Sequence, residues 1–213
     1  MPTRRPPSDA VKHRLMETLA QLYPTPATEL NFTNEYELVS AVLLSAQCTD
    51  KKVNQVTPVL FHKYPTFGAL SQAPIDSVQE IVRPINYYKT KANNLIEMAK
   101  KVVTEHQGNL PRTHAELITL PGVGNKTANV VLGELGITPT FPVDTHVFRL
   151  AHRLGLSRGK TPEDVEEDLK KQFNPAVWRA LHHRFILHGR RVCSARSPQC
   201  IACSLAKICP SAE

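Results

Sequence analysis

The chain has 213 residues, a formal net charge of +7 and a pI near 9.3, which is long enough to bury a real core as one domain or two small ones and basic enough to favour an anionic partner. No run of about 18 apolar residues occurs, which argues against a helical membrane span, and the basic, proline-rich start MPTRRPPSDA lacks the apolar stretch of a secretory signal, so the cytoplasm is the default expectation. With 7 Phe, 5 Tyr and 1 Trp, the chain is too poor in aromatics for a platform of stacked single-stranded bases.

Residues 1 to 8 are expected to be disordered, and a first helix follows with Val11, Leu15, Leu19 and Leu22 on one face. Tyr23-Pro24-Thr25-Pro26 ends it. From Asn34 to Gln47 the chain is apolar nearly all round, through Leu38, Val39, Val42, Leu43 and Leu44, the pattern of a helix buried at the centre of a domain. Thr49 is placed to cap the next helix, through about Tyr64, and a short one covers Pro74 to Val82. After the break at Arg83 to Tyr88, one stripe of Ala92, Leu95, Ile96, Ala99, Val102 and Val103 predicts a helix up to Gln107. Thr113 to Thr119 makes a short helix, and Ala128, Val131, Leu132 and Leu135 recur at helical spacing after it. Gly136 to Pro142 is a connecting loop. Asp144 opens a helix holding Val147, Leu150, Ala151 and Leu154, Thr161-Pro162-Glu163-Asp164 begins another, and Ala176 to about Arg191 leads into the C-terminal cysteines. No alternation at period two appears, so the expected class is all-α.

Between two of these helices runs Leu120-Pro121-Gly122-Val123-Gly124-Asn125-Lys126-Thr127, a helix-hairpin-helix turn. Gly122 and Gly124 allow positive φ and a bare backbone. The second helix presents unpaired N–H groups and a positive dipole end on the turn side, which together make an anion site. In a basic chain the anion is a backbone phosphate. Lys126 falls in the first turn of that helix, where the dipole disfavours a cation, and a neutral amine is what a nucleophile needs. Spacing alone leaves a second role open, as a phosphate-binding lysine.

Four of the five cysteines lie in the last 21 residues, as Cys193, Cys200, Cys203 and Cys209 with spacing C-x6-C-x2-C-x5-C. Clustered thiols in a cytosolic chain more often bind metal than pair. Four thiolates hold either tetrahedral zinc or an iron–sulfur cluster, and softness does not decide between them. Cys48 stands apart, as a buried structural thiol.

LPGVGNKTANVVL followed by FPVDTHVFRL resembles the active-site pair of the endonuclease III family, bifunctional helix-hairpin-helix DNA glycosylases. The likeness runs from about Leu15 to Cys209. It implies a two-lobed all-α fold with an active-site cleft between the lobes: residues 28–138 as a six-helix domain, and residues 1–27 with 139–213 as a discontinuous iron–sulfur domain. It also implies a DNA N-glycosylase and abasic-site lyase, a monomer acting on double-stranded DNA with damaged bases or abasic sites and not on membranes. Lys126 is then the nucleophile and Asp144 the catalytic carboxylate, and the four cysteines bind a [4Fe-4S] cluster. Read alone, Asp144 is also a helix N-cap.

In the same likeness Gln47 enters the duplex to fill the place of a flipped nucleotide. Tyr87 stands where the family usually carries a leucine wedge, and Asn125 where many relatives carry a basic residue. Gly122, Gly124, Asn125, His146 and Arg196 are further DNA contacts, with Arg149 near His146 and Arg190 and Arg191 just before the cysteines. His146 and Arg149 also read as ordinary inter-helix residues. The adenine-mismatch glycosylases share hairpin, aspartate and cysteine spacing, but usually lack the hairpin lysine and carry a glutamate near the position of Ala41. A non-catalytic iron–sulfur DNA-binding module is a reading of another class, against which Lys126 and Asp144 argue together.

Overall fold

A computed structural model describes residues 7–212. The disorder expected for residues 1–8 lies outside the described residues as far as residue 6, whereas Ser8 caps the first helix. The elements are α1 (Asp9–Leu22), α2 (Glu35–Ser45), α3 (Asp50–Lys63), α4 (Phe67–Ser71), α5 (Ile75–Val82), α6 (Tyr88–His106), α7 (His114–Leu117), α8 (Asn125–Glu134), α9 (Thr145–Arg153), α10 (Pro162–Gln172) and α11 (Pro175–Arg191), with a 3-10 turn at Ala206–Ile208. All elements among the described residues are helical, as the missing period-two alternation predicts. The five-residue α4 is too short to display a period and has no counterpart among the helices expected from the sequence.

Most helix starts are set locally. Ser8, Asn34, Thr49, Thr66, Thr113, Asp144, Thr161 and Asn174 each accept a backbone N–H of the helix that follows, satisfying a donor that has no partner within the helix. Thr161 and Asp164 complete a capping box ahead of Pro162. Among the described residues only α5, α6 and α8 begin without a side-chain cap, behind Pro74, Tyr87 and Gly124.

The chain divides into two compact units, one of residues 29–138 and one combining the residues up to 28 with those from 139 onward. In the first, α2 is the centre: Leu38, Val39, Ala41 and Leu44 are fully buried, and α3, α6 and α8 pack around them. A helix surrounded in this way must be apolar on every side, whereas α3 and α6 need one stripe only. Val103 lies about 100° round α6 from buried Val102 and is 36% exposed, so it belongs to the rim of the stripe.

In the second unit α1, α9, α10 and α11 enclose Leu19, Phe141, Leu150, Val165, Leu169 and Phe185. The first helix joins partners far along the chain: Arg184 Nε of α11 donates to the Tyr23 carbonyl at 3.2 Å. Leu22, at the last residue of α1, is 40% exposed and lies outside this core. Helices α9 and α11 approach closely at Gly189, where a Cβ would stand 3.0 Å from the His146 Cβ.

Candidate functional site

The turn between α7 and α8 is closed by the Val123 N–H on the Leu120 carbonyl at 3.0 Å. Gly122 takes φ +79, and a Cβ on it would lie 2.8 Å from Leu43 Cδ1 and 2.9 Å from Asn94 Cβ. This glycine therefore seats the hairpin against α2 and α6. Gly124 differs: its φ of −95 suits any residue, and nothing lies within 4 Å of where its Cβ would be. No internal contact asks for a glycine there, and the bare backbone faces open space at the start of α8. Asn125 and Lys126 are the first two residues of α8, both exposed. With no side-chain cap, the first N–H groups of the helix are left for an external acceptor.

Gln47 and Tyr87 belong to the same unit. Both are exposed, Tyr87 to 67%, and both have left-handed backbone, at φ 53 and φ 58. Cys48, next to Gln47, is half-buried against the core of this unit.

In the other unit Asp144 caps α9. Its Oδ1 accepts the His146 N–H at 2.9 Å and the Val147 N–H at 2.8 Å, which leaves Oδ2 outside the cap. His146 is half-buried, and burial holds its imidazole pKa below the usual value while the Asp144 charge opposes that shift. Its Nδ1 stands 3.1 Å from Arg149 Nη2. The same Nη2 donates to the Gly189 carbonyl at 3.0 Å and Arg149 Nε to the Cys193 carbonyl at 3.1 Å. Of the two readings of Arg149, the geometry matches the inter-helix one, tying α9 to α11 and to the first cysteine.

Cys193, Cys200, Cys203 and Cys209 line a cavity of about 230 Å³ together with Arg153 and His188. Among the described residues no three His, Cys, Asp or Glu side chains are grouped closely enough to hold a metal ion. Nitrogens stand beside two of the sulfurs: Arg153 Nη1 donates to Cys193 Sγ at 3.1 Å, and His188 Nε2 lies 3.6 Å from Cys203 Sγ. His188 is buried, which pushes its pKa down to about 4, so the ring is neutral and carries one N–H. Its Nδ1 lies 3.2 Å from Tyr23 Oη, and the tautomer that accepts the Tyr23 proton at Nδ1 is the one that carries the ring N–H on Nε2, toward the sulfur. Such donors suit thiolate ligands. Burial, ahead of the neighbouring thiols, pushes the Cys203 and Cys209 pKa values up, a shift that a bound cationic group would oppose by holding them as thiolates.

Arg196 is exposed in the loop from Cys193 to Cys200. Ser194 Oγ donates to the Ser197 carbonyl at 2.7 Å, and Arg153 donates to the carbonyls of Ser194 at 2.7 Å and Ala195 at 2.9 Å. Sequence reasoning missed Arg153 and His188. Arg153 resembles any basic residue in the last turn of a helix, and His188 gains its partners only when α1 and the cysteine segment fold against α11.

Residues 40–175 match the family described as HhH-GPD superfamily base excision DNA repair protein. Endonuclease III of Synechocystis sp. is 43% identical over 92% of this chain and 90% of its own length. Endonuclease III of Escherichia coli K12 is 41% identical over 96% and 97%. A solved trapped endonuclease III–DNA covalent intermediate superposes with a TM-score of 0.92 at 38% identity, covering 97% of each chain. A thermostable thymine-DNA glycosylase, at 20% identity and a TM-score of 0.85, shares the fold. Identity at this level over nearly the whole length, with the hairpin and the capped aspartate in place, makes this chain a member of the endonuclease III family within the HhH-GPD superfamily of base excision DNA repair proteins.

Proposed function

We propose that this base excision repair enzyme flips damaged bases, oxidised pyrimidines first among them, out of duplex DNA, excises them through Lys126 and cuts the strand at the abasic site. Membership of the endonuclease III family supports the glycosylase and lyase class. The observation that carries the residue assignment is the exposed amine of Lys126 at an uncapped helix start, behind a glycine open on its outer side. A phosphate seated on the bare N–H groups of Gly124 and the first turn of α8 brings the adjoining sugar to that amine.

The Lys126 amine attacks C1′ while the bond to the damaged base breaks, and the base leaves with a proton. The nitrogen loses its own proton and the sugar opens to an imine. The imine acidifies C2′; loss of that proton expels the 3′-phosphate, and hydrolysis of the imine returns Lys126. Asp144 stabilises the positive charge that grows at C1′ as the base departs, through the carboxylate oxygen not used in the cap. Gln47 fills the space of the flipped nucleotide, Tyr87 stacks beside the opposite base, and Asn125, Arg196 and His146 contact the backbone nearby.

The four cysteines would hold a [4Fe-4S] cluster, with Arg153 and His188 donating to its thiolates. When bound it supplies an anchor for the loop of Arg196, since excision and elimination move no net electrons. The unit of residues 29–138 then serves as the hairpin domain and the other as the cluster domain. The protein acts as a monomer in the bacterial cytoplasm. The test is incision of a panel of single-lesion duplexes, abasic DNA included, with borohydride present to trap the imine. Cleavage of oxidised-pyrimidine duplexes with one trapped adduct per chain is expected, and incision without any trapped adduct would remove Lys126 from the role.

A further inference from the structure

Among the described residues three non-glycine residues have positive φ: Gln47, Tyr87 and Gln107. Gln107 has an ordinary reason, since it ends α6 as a left-handed C-cap, and Gly108 beyond it returns its N–H to the Val102 carbonyl at 3.0 Å. The other two do not. The turn Ser45-Ala46-Gln47-Cys48 is closed by the Cys48 N–H on the Ser45 carbonyl at 3.0 Å, with Ala46 at φ −56, ψ 117. That is a type II turn, and its third position belongs to glycine. Tyr87 is the N-cap of α6, where extended backbone is the rule, and it offers no capping oxygen.

Side-chain donors from the stretch that carries Tyr87 face the Gln47 turn. Asn86 Nδ2 donates to the Gln47 carbonyl at 2.7 Å. Lys91, one turn beyond Tyr87, donates to the carbonyls of Leu44, at 2.9 Å, and Ala46. Its side chain is 6% exposed, and burial holds its pKa below the usual lysine value. A buried ammonium at the C-terminal end of α2 completes carbonyls that the helix leaves open and meets the negative end of its dipole.

We propose that Asn86 and Lys91 are positioning residues, a clamp that presets Gln47 and Tyr87 as one rigid two-pronged wedge for opening the duplex. The inference rests on the DNA-repair reading above. With the carbonyls of residues 44, 46 and 47 engaged, the turn cannot relax to a more favourable φ without breaking these bonds. The same bonds join the end of α2 to the start of α6, so the two exposed side chains move as one body. A preset wedge loses no freedom on entering the stack and resists the stack's pressure to close. Neither clamp residue touches DNA in this scheme.

The experiment uses the full chain carrying Asn86→Ala or Lys91→Met, assayed in single turnover on one lesion in two settings. In the first it is paired within a duplex; in the second it lies in an unpaired bubble, where nothing needs prising apart. Each variant should lose about tenfold on the paired substrate and less than about twofold on the bubble. 2-Aminopurine opposite the lesion should brighten less when saturating variant binds than when wild type does. Lys91→Met risks the fold, but Asn86→Ala removes an exposed side chain and keeps the test decisive. Equal losses on both substrates, or none on the paired one, would overturn the clamp. Wild type inactive on both would sink the enzyme reading instead, and the 2-aminopurine signal would still decide the clamp.

Discussion

Lys126 and Asp144 differ in what their removal tests. Lys126→Ala deletes the proposed nucleophile without disturbing packing, because the side chain is exposed at the start of α8. Base excision and borohydride trapping should vanish while lesion-duplex binding, read by gel shift, largely persists; undiminished excision by the folded variant would end the assignment. Asp144→Asn keeps an oxygen for the His146 and Val147 N–H groups, so α9 should retain its start. Only the charge goes, and excision should slow on the order of 100-fold or more, with less effect on opening a preformed abasic site. Gly122 tests the fold. Gly122→Ala combines a positive φ with a Cβ 2.8 Å from Leu43 Cδ1, and together these should cost roughly 2–4 kcal/mol, a fall of several degrees in Tm on a melting curve. The sequence marks both hairpin glycines alike. Only the packing separates Gly122, needed from within, from Gly124, open to the outside.

At the scale of elements, the uncapped start of α8 is a choice between stability and binding. Gly124→Asp fits its φ of −95 and meets nothing within 4 Å, so it supplies both the missing cap and a negative charge at the positive end of the helix. The fold should be unchanged or gain a few tenths of a kcal/mol, while duplex affinity should fall by about tenfold or more as the carboxylate takes the phosphate's place. A variant that gains stability and binds DNA as before would show that no phosphate sits there. Helix starts such as Asn34, Thr49 and Thr161 are readable because a cap acts within three residues, and the all-round apolar run of α2 announces a central helix for the same local reason. Lys91 is not readable. Its partners are carbonyls 45 and 47 residues earlier in the chain, and a polar residue beside an apolar stripe looks like any solvated lysine until α2 and α6 meet. The left-handed turns at Gln47 and Tyr87 are hidden similarly, because neither residue type signals positive φ.

The same limit governs the whole molecule. Periodicity tells which face of a helix is buried and not against what, so the joining of α1 with the C-terminal helices in one unit does not follow from the pattern. The cysteine spacing is more informative, since four thiols within a short reach must share a ligand or a cavity, and here they line one. Pure protein should be yellow-brown, with about four iron and four sulfide per chain and little zinc; a colourless protein with stoichiometric zinc would overturn the assignment. Cys200→Ser should lose or destabilise the cluster, yet its effect on the loop is graded. The segment near Cys193 keeps the Arg153 bonds to Ser194 and Ala195 and the Ser194 link to Ser197. Arg196 lies within this held half, while the stretch from Cys200 to Cys209 depends more on the thiols. Duplex affinity should therefore drop without disappearing, and its salt dependence should flatten by about one unit of slope if Arg196 no longer reaches its phosphate. Chemistry per bound complex should change far less, because the roles proposed for Lys126 and Asp144 draw nothing from iron. A Cys200→Ser protein that binds as wild type does and cannot excise would overturn the structural role of the cluster.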